Sequence, residues 1–246
     1  MAIKPHGAAA LLLFASQASG SDELMVGNFS MANPGVDIPA QWEPLNFEKI
    51  PRHSRYTLVY EKGITVIKAD SQGAASGLIR RIQIDPERYP LVQWRWKVSN
   101  TLEKSNVYSK AGDDYPARLY ITFAYDPDRL SLLEKLKYQT ARMLYGDIPS
   151  AAINYIWATN APVGALVDNA YTSYTKMFVV QSGAKHVGEW IVEERNILQD
   201  YIRAFGERPP MISGVAIMTD TDNTGGHATA YYGDIVFKTS QDRERQ

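Results

Sequence analysis

Between residues 91 and 98 the chain reads LVQWRWKV, with apolar side chains on every second position. Val92, Trp94, Trp96 and Val98 share one face, and Gln93, Arg95 and Lys97 share the other. That period of two predicts a strand with one buried face. RLYITF, residues 118–123, repeats it: Leu119, Ile121 and Phe123 oppose Arg118, Tyr120 and Thr122. RYTLVYEKG, ending at Gly63, and the following ITVIKAD predict a hairpin. SGLIRRIQID, AAINYIWA, KMFVVQSG, EWIVEERNI, MISGVAIMTD and AYYGDIVF read as further strands, separated by turn residues. Residues 21–50 are punctuated by Pro and Asn and read as extended chain and turns.

Residues 128–145 break this rhythm. Leu130, Leu133, Leu136, Thr140 and Leu144 fall near helical spacing, with Asp128 placed to cap and Gly146 to stop. The segment predicts an amphipathic helix inserted between strands, covering a sheet edge or, through Arg129, Lys135, Lys137 and Arg142, touching a membrane surface. A short second helix is expected around LQDYIRAFG. Strands and helices do not alternate regularly, which disfavours a parallel α/β sheet. The pattern predicts a mainly β fold, an antiparallel sandwich of jelly-roll type.

The chain has 246 residues, 45% of them hydrophobic, enough for a sizeable core. We expect a signal peptide over 1–20, a single β-sandwich domain over 21–240 and a polar tail over 241–246. The segment GAAALLLFA, residues 7–15, follows Lys4 and precedes Ser16-Gln17-Ala18 and Ala18-Ser19-Gly20, which offer small residues at a cleavage site, the layout of an export signal cleaved after residue 18 or 20. It is too short to span a bilayer, so no transmembrane anchor is expected, and the mature protein would be periplasmic or secreted. Cysteine is absent, which excludes disulfides, thiol catalysis and Cys-ligated zinc. A net charge of −1 with no basic run argues against nucleic acid. The 15 Tyr and 5 Trp suit a sheet core and also sugar-binding surfaces.

WEPLNFEKIPRHSRYTLV, SGLIRRIQIDPERYPLVQWRWKV, KAGDDYPARLYITF, NYIWA, APVG and AIMTDTDNTGGHATAYYGDIVF closely resemble the bacterial domain-of-unknown-function family 3047 over residues 26–238. The resemblance implies an exported protein and no defined activity. The rhythm from ASGLIRRIQID to YYGDIVF is also similar to galactose-binding-like jelly rolls, including carbohydrate-binding modules. Those compact modules do not need the helix expected at 128–145.

Two acidic stretches stand out. KAGDDYP carries Asp113 and Asp114 before one strand, and TDTDNTG carries Asp220, Asp222 and Asn223 after another. If those strands pair antiparallel, both acidic ends share a rim, and a cation, Arg118 or Lys110 must compensate the charge. DTDNTG matches the first half of a D-x-D-x-x-G calcium loop, making Asp220, Asp222 and Asn223 candidate calcium ligands. Tyr231 stands at the twelfth position, so this is no EF-hand. The alternative for each Asp and Asn is turn hydrogen bonding. Arg95, Lys97, Arg118 and Tyr120 alternate away from apolar positions. If their strands share a sheet, they form a face that, with Lys110, Asp113, Asp114, Asn154 and Trp157, could grip a glycan or another polar ligand. Trp157 shares parity with Ile153 and Tyr155 and equally suits the core. No G-x-S-x-G or H-E-x-x-H occurs, and His53, His186 and His227 lie outside zinc spacings.

Three functions remain open on this reading: a jelly-roll binding module for a glycan or other polar cell-envelope ligand; a glycoside hydrolase or polysaccharide lyase working with the acidic rim, which Glu193 and Glu194 could extend; and an envelope protein whose rim is a calcium staple.

Overall fold

The computed structural model describes residues 22–35, 38–124 and 151–240. The expected leader, the helix at 128–145 and the polar tail lie outside the described residues. Among the described residues, thirteen strands form two sheets. In chain order they are β1 (Glu23–Gly27), β2 (Glu43–Leu45), β3 (Arg55–Glu61), β4 (Ile64–Gln72), β5 (Ala75–Ile84), β6 (Leu91–Val98), β7 (Arg118–Phe123), β8 (Ala151–Ala158), β9 (Leu166–Asp168), β10 (Thr175–Ser182), β11 (Ile191–Asn196), β12 (Ile212–Asp220) and β13 (His227–Lys238). The expected short helix is α1, Ile197–Phe205. Asn196 caps it by accepting from the Gln199 backbone N–H at 3.0 Å, and Gly206 ends it in the left-handed region.

The six-stranded sheet runs β11-β6-β13-β4-β3, with β1 on the far half of β13. The seven-stranded sheet runs β2-β5-β12-β7-β8-β10-β9. From β4 to β7, and again from β11 to β13, successive strands alternate between the sheets, the crossing pattern of a jelly roll. The hairpin between β3 and β4 turns at Lys62 and Gly63, both at positive φ, as a two-residue turn requires.

One pairing departs from the antiparallel expectation: β10 runs parallel to β8. The chain leaves β8, lays down β9 at the sheet's edge, and returns as β10 between the two, antiparallel to β9.

The core lies between the sheets. Trp94 and Trp96 on β6 are buried, and their rings meet Tyr155 and Trp157 of β8 at 5.2 and 6.1 Å. A smaller apolar cluster covers part of the outer face of the seven-stranded sheet. There Ile156, Met177 and Val179 pack under Val107, Tyr115 and Ala161 from loops. The site lies beside that covered half.

Candidate functional site

β7 and β12 pair antiparallel, with Arg118 opposite Met218 and Tyr120 opposite Ala216. The start of β7 and the end of β12 therefore share a rim, and the two acidic stretches meet there. Arg118 is the pivot. Its Nε donates to Asp220 Oδ1 at 2.7 Å and its Nη2 to Asp220 Oδ2, a bidentate pair. Nη2 also donates to the Asp113 carbonyl at 2.6 Å, and Nη1 to the Tyr120 hydroxyl at 3.2 Å. The Tyr115 ring stacks on the guanidinium at 4.2 Å. Arg118 and Asp220 are 2% and 1% exposed.

Asp114, fully buried, accepts from the backbone N–H groups of Asn223 at 3.2 Å and Thr224 at 2.6 Å. It clamps the loop after β12 to the loop before β7. That second loop closes tightly on itself. The Asn106 N–H reaches the Gly112 carbonyl at 2.8 Å, and a Cβ at Gly112 would stand 2.6 Å from the Asn106 nitrogen. Behind the rim, the Thr219 hydroxyl donates to the Pro116 carbonyl and bonds the Tyr232 hydroxyl at 2.8 Å, while the Tyr56 hydroxyl accepts from the Thr219 N–H.

The electrostatics follow from burial. Burial pushes the Asp220 carboxyl up to about 7, with Arg118 opposing the rise and Asp114 and Asp113 adding to it. Burial, then Asp114, raises half-buried Asp222. Burial by itself would lower Arg118, but Asp220, Tyr120 and Asp113 outweigh it and hold the guanidinium well above its ordinary range. Burial raises Tyr120 to about 12.

Next to the rim, the outer face of the seven-stranded sheet opens into a groove of about 770 Å³. Phe47, Tyr120 and Tyr171 supply aromatic walls, and Asp113, Asp222 and Asn223 supply polar ones. Tyr171 is 55% exposed and straps two loops together. Its hydroxyl accepts from Asn223 Nδ2 at 2.9 Å and donates to the Lys110 carbonyl at 3.2 Å. Lys110 Nζ lies 5.3 Å above its ring.

The structure thus gathers Lys110, Asp113, Asp114, Arg118, Tyr120, Asp220, Asp222 and Asn223 in one neighbourhood. It does not bring Arg95 there. β6 and β7 belong to different sheets, and Arg95 lies on the outer face of the other one, its guanidinium 4.8 Å over Trp190. Trp157 is fully buried in the core, and its Nε1 donates to the Gly183 carbonyl at 3.1 Å, so it offers no ring to the groove. Asn154 stands opposite Tyr120 across β7 and β8 but is fully buried, with neither amide atom hydrogen-bonded. Asn223 contributes its backbone N–H to Asp114 and its side chain to Tyr171. Sequence reasoning missed Tyr171, Tyr115 and Phe47, which sit on aperiodic loops that carry no face information. The one local signal was Asn169, whose side chain accepts from the Tyr171 N–H at 3.0 Å.

Fold and groove together define a mainly β sandwich with a polar-aromatic site on one outer face. The chain belongs to the family described as "Protein of unknown function (DUF3047)", which matches residues 40–236. No curated protein matches it. Among solved structures it is similar to the Emp47p carbohydrate recognition domain, at 11% identity and TM-score 0.43, over 92% of this chain and 99% of that one. It is also similar to Trichoderma harzianum endoglucanase 3 from family GH12, at 8% identity and TM-score 0.43, over 90% and 100%. A third likeness is to the cellulose-induced protein Cip1, at 10% identity and TM-score 0.33, over 80% and 90%.

Proposed function

We propose that this protein is an exported binding module whose groove takes a glycan, neutral or amino-bearing rather than uronic. The observation that carries the reading is Tyr171, an exposed ring at the groove wall with Asn223 hydrogen-bonded to its hydroxyl and Asp222 beside it. An aromatic face takes the apolar side of a sugar ring, and amide and carboxylate groups take its hydroxyls. Export is supported by the basic, apolar and small-residue order of residues 1–20.

The preference against uronic sugars follows from Arg118. A guanidinium would be the clamp for a sugar carboxylate, but this one is spent on Asp220 and Asp113. The groove lining carries Glu48, Asp113, Asp220 and Asp222 against Lys49 and Arg118, an acidic balance that disfavours anions. Of the rim carboxylates, Asp220 is committed to Arg118 and Asp114 to two backbone N–H groups, so a glycosidase pair would have to come from Asp113, Asp222 and Glu48, which also line the groove; the binding reading rests on Tyr171 and not on the carboxylates.

The test is a glycan array carrying neutral, amino and uronic oligosaccharides, followed by calorimetric titration of the best hit. Tyr171→Ala should weaken that hit about tenfold or more, equivalent to ~1.4 kcal/mol. Arg95→Ala, on the opposite sheet, should leave it unchanged. Uronic hits alone, or equal loss in both variants, would refute the assignment.

A further inference from the structure

We propose that Asp114, Asp220 and Asp222 hold a calcium ion at the rim of the groove, with Asp113 beside them. This site stands independently of what the groove binds. One carboxylate oxygen from each of the three aspartates lies within 4.8 Å of the other two. Two oxygens that are each 2.3–2.6 Å from a shared calcium stand at most about 5 Å apart, so the three fit one ion.

The donors are also held in place. Asp114 is fixed by the Asn223 and Thr224 N–H groups, each of which uses only part of one oxygen's accepting capacity. Asp220 is fixed by Arg118. Asp222 rides on a turn whose Gly225 sits at a φ of 68°. Only hard oxygen donors are present, which suits calcium and disfavours softer transition metals.

A second observation points to a cation. Asp113 is only 6% exposed, lines the groove with Asp220 and Asp222, and keeps Oδ1 without a hydrogen bond. That oxygen stands 3.7 Å from Arg118 Nη1. A carboxylate oxygen buried without a donor is costly unless a positive charge faces it. Arg118 offsets one of the four negative charges gathered here, and a divalent ion would offset two more. Asp222 is half-buried and Asn223 exposed on the groove side, so water or ligand hydroxyls have access to complete the six to eight positions that calcium takes.

The test uses the whole mature chain, stripped with a chelator, without any glycan. Terbium, a calcium surrogate, should show sensitised emission on tyrosine excitation, since Tyr115 and Tyr171 flank the site, and calcium should quench it by displacement. Millimolar calcium should raise the Tm, and magnesium should do so less. Asp222→Asn should weaken terbium binding about tenfold or more, a loss of ~1.4 kcal/mol, and remove the calcium-dependent rise. Its Tm in chelator should equal or exceed that of the wild type, because repulsion from Asp114 is relieved. Asp168→Asn, on an exposed edge strand, should keep both signals. Absence of emission and of any calcium shift in the folded wild type would overturn the site, as would their survival in Asp222→Asn. A glycan array without hits would leave these readouts untouched.

Discussion

At the scale of single residues, Arg118 decides the character of the site. It is one of the largest fully buried side chains, and it holds the Asp220 carboxylate and the Asp113 carbonyl directly. A buried ion pair contributes little net stability over an apolar pair of similar volume, but removing one partner strands the other. Arg118→Met should therefore destabilise the fold by roughly 3–5 kcal/mol in chemical denaturation, because Asp220 keeps only the Tyr115 N–H at 3.3 Å and the Asp113 carbonyl loses its guanidinium donor. Pairing it with Asp220→Leu should recover a substantial part of the loss. If the double variant is no better than the single, the damage lies in the surrounding network of Thr219, Tyr232 and Tyr56 rather than in a stranded charge. The meeting of the two acidic stretches was legible in the sequence, since the alternation in RLYITF and the run MISGVAIMTD predicted two strands whose antiparallel pairing brings those ends together. The tyrosines that complete the neighbourhood were not, since loop residues have no periodicity to reveal where they point.

At the scale of elements, alternation reveals faces but not sheet membership. β6 and β7 follow one another and share a pattern, yet they lie in opposite sheets, which is why Arg95 and Arg118 look out on opposite sides. β8 failed differently. Ala151–Ala158 is buried at every position, because the core covers one face and the rim-side loops cover the other. With both faces dry, the polar half of the alternation vanishes: the parity of Trp157 with Ile153 and Tyr155 suited the core, where it lies, but nothing in the run showed that Asn154 on the other face would be buried too. β11 shows how the two sheets are tied at one edge. Its half-buried Glu193 accepts from Trp96 Nε1 on β6 at 3.3 Å and from Gln181 Nε2 on β10 at 2.8 Å. Burial raises its carboxyl above the ordinary value, with those two hydrogen bonds opposing the rise. A carboxyl raised in the folded state holds a proton that the unfolded chain has already lost. Its contribution to stability therefore falls as pH climbs from the ordinary glutamate range through the raised folded value. Glu193→Gln should flatten that part of the stability–pH curve, measured by denaturant titration in steps from about pH 4 to 7, the interval just above the unperturbed glutamate value. An unchanged slope would show that Glu193 titrates normally.

At the scale of the whole molecule, the N-terminal strand links the sandwich to the expected processing of the chain. β1 pairs with the far half of β13, Glu23 opposite Lys238 and Gly27 opposite Ile235. The Thr239 N–H donates to the Asp22 carbonyl at 3.0 Å, and Arg80 Nη1 on β5 reaches the Val26 carbonyl at 2.6 Å. β1 therefore covers half of β13 and helps to join the sheets. A cut after residue 18 or 20 falls just ahead of it and spares every one of these bonds. A cut a few residues later would strip β1 and leave the N–H and C=O groups of β13 exposed as an open edge. The expected cut is thus compatible with the sheet pairing: a processed chain that keeps all of these bonds begins at or before Asp22. Expressed with its own N-terminus in a Gram-negative host, the protein should be recovered from the periplasm with an intact mass lacking residues 1–18 or 1–20. A periplasmic product that still carries Met1, or one that starts beyond Asp22 and remains folded, would overturn the expectation. The first outcome would break the reading of residues 1–20 as a leader, and the second the structural role of β1.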